Sequence, residues 1–200
     1  MKKISCLIFD DEQCSLEILQ NYINKVPILQ VEGVFSNPFQ GLASAKQKQP
    51  DLIISDLNMP QLSGIDLWTE LHQNSWFIFQ SGYPDWLSQR MGEKVIDTLY
   101  KPFSFDRFRD AITKAEILIE IERETKIVGS QFHTLTPTEQ SVIKHIGGMK
   151  QRKDVAEVEF RSVKTIDRHR ENIRRKLKFE NSNELLEFAF LVKKHLCRNP

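Results

Sequence analysis

Five short apolar runs, separated by amphipathic segments, constrain the fold of this 200-residue chain more than any other feature. The runs are Ile4–Phe9, Leu29–Phe35, Leu52–Ser55, Trp76–Phe79 and Val95–Leu99. Continuous apolar runs that alternate with helical periodicity are typical of parallel strands covered by helices on both faces. The sequence therefore predicts an α/β first half of repeated βα units, with further helices near Pro38–Lys48, around Leu67 and at Asp85–Gly92.

Polar side chains follow four of these runs at the point where each run ends. They are Asp10 and Asp11, Asp56, Ser81 and Lys101, in that order along the chain. Ligands of open α/β sheets bind in the crevice at the carboxyl ends of the strands. Crowded carboxylates suit Mg²⁺, and a carboxylate can itself accept a phosphoryl group whose oxygens a lysine and a hydroxyl bind. The sequence predicts a phosphoryl-transfer site, with Asp11 and Asp56 as metal ligands and Asp10 acting through water.

The charges divide the chain into an acidic and a basic part, which favours two domains. Residues 1–125 carry 12 Lys/Arg and 18 Asp/Glu, a net charge of −6, whereas residues 126–200 carry 16 and 9, a net charge of +7. A basic part points to a polyanionic partner, nucleic acid before membrane. Three cysteines without metal-type spacing, and no apolar stretch near the roughly 20 residues of a membrane span, predict a cytoplasmic protein.

The basic part shows helical patterns only. Thr136 and Glu139 form a capping-box pattern, helices follow at Arg152–Glu159 and Val163–Leu177, and a last helix begins after Asn181. Residues 161–178 hold eight Lys/Arg and two acids, on a helix whose other face is apolar. A two-faced helix after a tight turn predicts a helix-turn-helix, and a merely solvated charged face is the alternative.

The helix that Ser104 caps carries more apolar side chains than one buried stripe needs, and we expect it to reach about Glu124. The surplus fits either contact with a second copy or the other half of the chain, or a well-buried final helix. The terminal helix also has surplus apolar residues, which fit either pairing with a second copy of the chain or an ordinary amphipathic helix of a monomer. Residues 125–134 are predicted to form a short linker.

The strand-end residues resemble the receiver domain of two-component response regulators. The motifs are Asp10-Asp11, Asp56 before Leu57-Asn58-Met59-Pro60, Gly64, Ser81-Gly82 and Lys101-Pro102-Phe103. The resemblance implies a flavodoxin-like (βα)5 fold over residues 1–122 and phosphorylation of Asp56 by a sensor histidine kinase. It implies Mg²⁺ bound through Asp11, Asp56 and the backbone carbonyl of Asn58, Ser81 as the switch hydroxyl, Lys101 as the phosphate-binding lysine, and a cis bond before Pro102.

The chain departs from the receiver pattern at one switch position. Thr98 stands where the family carries an aromatic switch residue, and the segment between Ser81 and Lys101 is shorter than usual. The shorter segment trims the fourth helix, and the threonine removes the ring whose rotation accompanies phosphorylation in the family.

The helical part resembles the LuxR-type (NarL/FixJ) four-helix DNA-binding domain. The motifs are Leu135-Thr136 with Glu139, Val155-Ala156, Ser162, Thr165-Ile166, His169, Asn172-Ile173 and Lys176-Leu177. The resemblance implies that Val163–Leu177 enters the major groove. Base edges would face Asp167, Arg168 and Glu171, and phosphates would meet Lys164, Thr165, Arg174 and Arg175. Glu159 and Arg161 depart from the pattern, which has apolar residues at both positions.

Together these features predict a phosphorylation-controlled, DNA-binding transcriptional response regulator. We expect a receiver domain over residues 1–122, a helix extension and linker over 123–133, and a DNA-binding helix-turn-helix domain over 134–200. The partners would be a sensor histidine kinase, double-stranded promoter DNA and, after phosphorylation, a second copy of the chain. No enzymatic activity beyond phosphorylation and dephosphorylation of Asp56 is expected. The alternative is a receiver-type module that acts through protein–protein contacts with weak or no DNA binding.

Overall fold

A computed structural model describes residues 2–83, 92–148 and 151–198. The chain divides into two compact units, residues 1–120 and residues 121–200. All but one residue of the helix expected at Asp85–Gly92 lies outside the described residues. Within the described ranges, no helix is both long and apolar enough to cross a membrane.

The first unit is built on a five-stranded parallel sheet with the strand order β2-β1-β3-β4-β5. The strands are β1 (Ile4–Phe9), β2 (Leu29–Phe35), β3 (Leu52–Asp56), β4 (Trp76–Ser81) and β5 (Val95–Tyr100). β3 and β4 run slightly beyond their apolar stretches because Asp56 still pairs with Gln80 and Ser81 with Tyr100. This strand order is that of the flavodoxin-like fold and confirms the prediction.

Helices cover both faces of the sheet because alternate strand residues point to opposite sides. The helices are α1 (Gln13–Ile23), α2 (Pro38–Lys48), α3 (Gly64–Leu71) and α4 (Phe105–His133). Ile8 and Ile54 belong to a core with α1 and the first part of α4, whereas Leu7 and Ile53 belong to a core with α2 and α3. The alternation leaves the polar strand ends at the carboxyl edge of the sheet.

Helix α4 corrects the prediction of a linker at residues 125–134. The helix continues to His133, and Val128 and Phe132 are buried in the core of the second unit. Gly129 and Ser130, inside this segment, have low helix propensity. Burial of the neighbouring apolar side chains outweighs that propensity, so the segment is helical.

The described part of the second unit contains four helices after α4. They are α5 (Pro137–Gly147), α6 (Arg152–Val158), α7 (Val163–Leu177) and α8 (Ser182–Arg198). The predicted capping box forms, since the Thr136 hydroxyl accepts a bond from the Glu139 N–H and the Glu139 carboxylate accepts one from the Thr136 N–H. Four residues separate α6 from α7, which confirms a helical unit with a helix-turn-helix.

Candidate functional site

The carboxyl edge of the sheet brings together the side chains that follow β1, β3 and β5. The Lys101 Nζ lies 2.8 Å from the Asp10 Oδ2 and 3.5 Å from the Asp56 Oδ1. Asp10 is fully buried and Asp56 is only 7% exposed. The Lys101–Pro102 peptide bond is cis, as expected. One ammonium therefore lies between two carboxylates that are largely removed from water.

Burial sets the protonation behaviour of this group of charges. It raises the pKa of Asp10 and of Asp56, and the nearby charge of Lys101 only partly offsets the effect. Burial also opposes the charge on Lys101, but the hydrogen bond and negative charge of Asp10 outweigh it, so the Lys101 pKa is raised. The two carboxylates thus have a surplus of negative charge that a cation would relieve.

Three carboxylates at this edge could hold a metal ion. One oxygen from each of Asp10, Asp11 and Asp56 lies within 4.8 Å of the others. Oxygen donors of this kind fit Mg²⁺, which binds one or two carboxylates and keeps several waters. Asn58 is exposed just after β3. A side chain at Gly64 would place its Cβ 2.4 Å from the Asp56 carbonyl oxygen, so glycine allows the loop after β3 to close tightly here.

Ser81 lies at the end of β4 and bonds within its own loop. Its Oγ donates to the Tyr83 carbonyl oxygen at 3.0 Å and accepts from the Tyr83 N–H at 3.1 Å. Thr98 is buried on β5, and its Oγ1 has no hydrogen-bond partner among the described residues. The serine hydroxyl is therefore held by its own loop, whereas the threonine that replaces the aromatic residue has an unused polar group.

Sequence reasoning missed two sets of charges in the first unit. The Glu12 Oε2 lies 3.9 Å from the Lys101 Nζ, and Asp97 pairs with Arg107 at 2.6 Å and with Lys114 at 2.7 Å. Burial works against the charge of Asp97, but the Arg107 and Lys114 hydrogen bonds hold its pKa below the ordinary value. The ten-residue separation of Asp97 and Arg107 gave no periodic signal, because a strand and a helix supply the two groups.

Helix α7 carries the basic side chains that the sequence indicated. Its N-cap Ser162 accepts a bond from the Thr165 N–H, and Lys164, Arg168 and Arg175 are exposed. The helix is two-faced, because its basic residues face solvent whereas Ile166 and Ile173 are buried in the core. The exposed face is suited to an extended polyanion.

Neighbouring groups engage three of the predicted contact residues of α7. The Asp167 carboxylate lies 3.5 Å from Arg152 on α6. Arg174 donates to the Glu171 Oε2 at 3.0 Å and to the Glu180 carbonyl oxygen at 2.8 Å. These bonds hold both acids of the helix beside arginines, so their carboxylates are not isolated charges.

Three polar contacts that the sequence did not reveal join residues of α5 to Lys176 on α7 and to Glu159 just after α6. Lys176 on α7 donates to the buried Glu139 Oε2 at 2.6 Å. The Glu159 Oε1 accepts from the Ser141 Oγ at 2.5 Å and lies 2.9 Å from the His145 Nδ1. Glu159 occupies the position expected to be apolar, and these partners explain how a carboxylate is accommodated beside α5.

Comparison with known proteins matches both units. The model of the response regulator receiver domain matches residues 6–113, and that of bacterial regulatory proteins of the luxR family matches residues 133–189. A response regulatory protein of Vibrio cholerae is 29% identical over 113 residues, 56% of this chain and 48% of the relative. The transcriptional regulatory protein BtsR of Escherichia coli is 25% identical over 145 residues, 72% of this chain and 57% of the relative. The chain thus spans about half the length of the curated relatives it matches.

Solved structures share the fold over nearly the whole chain. Full-length FixJ from B. japonicum has a TM-score of 0.51 at 23% identity, covering 96% of this chain and 98% of FixJ. The response regulator StyR has a TM-score of 0.61 at 24% identity, covering 96% of this chain and 99% of StyR. With the receiver model matching more than half of its residues, this chain belongs to the response regulators, and it joins a receiver domain to a luxR-family domain.

Proposed function

We propose that Asp56 accepts a phosphoryl group from the phosphohistidine of a sensor kinase and that this modification controls binding of the helical unit to promoter DNA. The observation that carries the proposal is the placement of Lys101 3.5 Å from Asp56, in a group of three converging carboxylates. The cofactor would be Mg²⁺, held by Asp10, Asp11, Asp56 and the carbonyl of Asn58, and it would neutralise charge on the transferred group.

The chain's own residues would act on the phosphoryl group as follows. A carboxylate oxygen of Asp56 forms a bond to phosphorus while the phosphorus–nitrogen bond breaks. The leaving nitrogen keeps the electron pair of that bond, and the imidazole leaves neutral with the proton that its other nitrogen already carries. The Lys101 ammonium, which donates to the Asp10 Oδ2 at 2.8 Å, would bind a phosphoryl oxygen in place of that bond. Ser81 exchanges its bond to the Tyr83 carbonyl for a bond to another phosphoryl oxygen. The reaction modifies the chain itself, so we propose no further enzymatic activity.

The helical unit would bind duplex DNA through α7. The family of this unit and the exposed basic face support this proposal. Lys164, Thr165, Arg174 and Arg175 would meet phosphates, whereas Asp167, Arg168 and Glu171 would face base edges in the major groove. Arginine pairs well with guanine, and carboxylates accept a hydrogen bond from cytosine.

A second copy would pair through α8. Leu186 and Phe190 are 46% and 52% exposed and lie four residues apart, so they share one side of this helix. A symmetric pair of units would present two recognition helices to a palindromic site. We propose that phosphorylation favours this pair. We also propose that α4 joins the receiver (1–122) to the DNA-binding unit (134–200). The protein would work in the cytoplasm.

Phosphorylation can be tested with a small phosphodonor. Incubation of the full chain with acetyl phosphate and Mg²⁺ should add the mass of one phosphoryl group, and Asp56→Ala should remain unmodified. Asp106→Ala, which removes an exposed carboxylate of α4, is the matched control and should be modified like the wild type. Absence of the added mass in the wild type, or equal modification of Asp56→Ala, would refute the proposal.

DNA binding can be tested by its salt dependence. The affinity for a duplex selected from a random pool should fall with salt, with a log–log slope of about −0.9 for each phosphate neutralised. Arg168→Ala should cost about 1–3 kcal/mol and relax the base preference at one position. Arg109→Ala removes the same charge from the first unit and should leave affinity unchanged. A flat salt response would favour the alternative of a protein-interaction module.

A further inference from the structure

A cavity of about 480 Å³ lies between α1 and the segment that follows β5. Its apolar wall consists of Ile18 and Tyr22 from α1 and of Pro102 and Phe103 from that segment. All of its described lining residues belong to the first unit. Cavities that bind small molecules measure about 300–1,000 Å³, so this one is large enough for such a ligand. We refer to this space as the α1 cavity.

The aromatic wall of the α1 cavity is held in place by the protein itself. The Tyr22 hydroxyl donates to the Phe103 carbonyl oxygen at 3.3 Å, and the two rings lie edge to face with 6.1 Å between their centroids. The centroids of Phe105 and the buried Phe108 lie 5.5 and 5.7 Å from that of Tyr22. Ile18 is 51% exposed, so about half of its apolar surface is open to solvent. The wall is therefore a preformed apolar surface for a flat ligand.

The floor of the α1 cavity holds a hydrogen-bond donor without an acceptor. Gln80 is 1% exposed, whereas the other described residues of the lining are partly or fully exposed. Its Nε2 has no hydrogen-bond partner among the residues that the structure describes. A buried amide N–H that stays unpaired lowers stability. A carbonyl oxygen of a ligand would satisfy this donor, so the cavity favours a molecule that carries an acceptor.

The charges at the rim favour a neutral ligand over an anion. Three carboxylates already surround the Lys101 ammonium, those of Asp10 at 2.8 Å, Asp56 at 3.5 Å and Glu12 at 3.9 Å. Without a metal ion, the negative charge of this group exceeds its positive charge and repels a further anion. The Ser15 Oγ donates to the Glu12 Oε2 at 2.9 Å and so holds a hydrogen-bond acceptor at the rim. An N–H group of a neutral ligand suits that acceptor.

We propose that the α1 cavity binds a neutral, planar aromatic molecule that carries an amide group, as a bicyclic lactam does. The rings pack against Ile18, Tyr22 and Phe103, the carbonyl accepts a hydrogen bond from the Gln80 Nε2, and the N–H donates to the Glu12 carboxylate. Because Lys101 lines the same cavity, the bound molecule hinders a phosphodonor and slows modification of Asp56. The slowing rests on the proposed phosphorylation, whereas the binding does not.

Isothermal titration calorimetry of the full chain with 2-quinolone, a neutral bicyclic lactam, tests the binding. Gln80→Met removes the amide at nearly the same size and, since the lost donor was unpaired, should not lower stability. We expect this variant to bind 2-quinolone about fivefold or more weakly than the wild type. Gln30→Met makes the same change at an exposed glutamine of β2 and should bind like the wild type.

Indole keeps the flat bicyclic ring and the N–H but lacks the carbonyl, so it isolates the bond to Gln80. The wild type should bind indole about fivefold or more weakly than 2-quinolone, whereas Gln80→Met should bind the two molecules with similar affinity. Ile18→Ala shortens an exposed part of the apolar wall and should weaken binding of both molecules. Ile127→Ala, at a similarly exposed isoleucine of the second unit, should weaken neither.

Failure of the wild type to bind 2-quinolone, or equal binding by Gln80→Met, overturns the inference. Saturating 2-quinolone should also slow the modification of the wild type by acetyl phosphate, and an unchanged rate overturns the inhibitory role. A wild type that binds 2-quinolone as expected, but takes no phosphoryl group from acetyl phosphate in its absence, supports the ligand site and refutes the proposed function alone.

Discussion

The acidic site of the first unit and the basic helix of the second differ in where they keep their charges. Asp10 and Asp56 are buried, and Lys101 lies between them. On α7, by contrast, the basic side chains of Lys164, Arg168 and Arg175 are exposed to solvent. Charges in the interior interact strongly and shift one another's pKa, while exposed charges are screened by solvent and salt. The charges of the first site are therefore strongly coupled to one another, whereas those of the second are free to interact with a partner.

The largest expected effect comes from removing the cation of the acidic site. Lys101→Met should reduce the rate of phosphorylation by acetyl phosphate about 100-fold, because charge on the transferred group loses its ammonium partner. Lys114→Met is the matched control, since its exposed ammonium pairs with Asp97, outside the group of Asp10, Asp11 and Asp56. Equal rates in Lys101→Met and the wild type would show that Lys101 does not take part.

Breaking the buried contact of the second unit should lower its stability. Lys176→Met leaves the Glu139 carboxylate with its Thr136 bonds only, and we expect a loss of about 1–3 kcal/mol, at the lower end because Lys176 is partly exposed. Burial works against the charge of Glu139, but Lys176 and Thr136 hold its pKa below the ordinary value. The stabilisation is thus present above the unfolded pKa and is lost as pH falls through the lowered folded pKa.

Hydrogen exchange of peptides from α5 and α7 measures this loss in the full chain. The difference between Lys176→Met and the wild type should shrink as the pH is lowered. Lys164→Met removes an exposed ammonium from the same helix and should change exchange little. A difference that grows on acidification would contradict the assigned sign.

At the acidic site, the contribution of the buried carboxylate to stability should change with pH in the opposite direction to that of Glu139. Asp10 has a raised pKa because it is buried, so Asp10→Asn should increase the free energy of unfolding at neutral pH by about 1 kcal/mol. A raised carboxyl pKa makes stability grow as pH falls through the folded pKa, so the advantage of the variant should shrink on acidification. All three tryptophans precede residue 90, so their fluorescence follows denaturation of the first unit. Destabilisation by Asp10→Asn, with no effect of Asp106→Asn, would contradict the prediction.

The smallest effect is expected at an exposed pair of the same unit. Lys46 and Glu70 lie 2.7 Å apart with both side chains about half exposed. Lys46→Met should change the free energy of unfolding by less than about 0.5 kcal/mol, measured by the same fluorescence. A loss as large as that of Lys176→Met would show that exposure does not separate the two kinds of charge.

The fold of the first unit could be predicted because its signals are local. Each apolar run forms a strand, and the polar residues that end four of these runs lie at the carboxyl edge of the sheet. Asp10, Asp56 and Lys101 therefore meet as expected. Glu12 and Asp97 were missed because their partners come from elements distant along the chain. The residue pattern within a single strand or helix does not indicate a contact between two elements that are distant along the chain.

The second unit shows where local signals fail. The sequence analysis predicts a linker at residues 125–134, yet Val128 and Phe132 pack into the helical core and α4 continues to His133. Glu159 looked out of place because its partners, Ser141 and His145, lie on a different helix. Both cases depend on tertiary contacts, which residue propensities do not record.

The central claim is that the buried site governs the exposed helix, and DNA affinity measured with and without phosphorylation tests it most directly. With acetyl phosphate and Mg²⁺ at fixed salt, the wild type should bind its selected duplex at least about tenfold more tightly, a coupling free energy of about 1.4 kcal/mol. Asp56→Ala should bind with the same affinity in both conditions. Unchanged affinity of a fully phosphorylated wild type, or an equal gain in Asp56→Ala, would contradict the account.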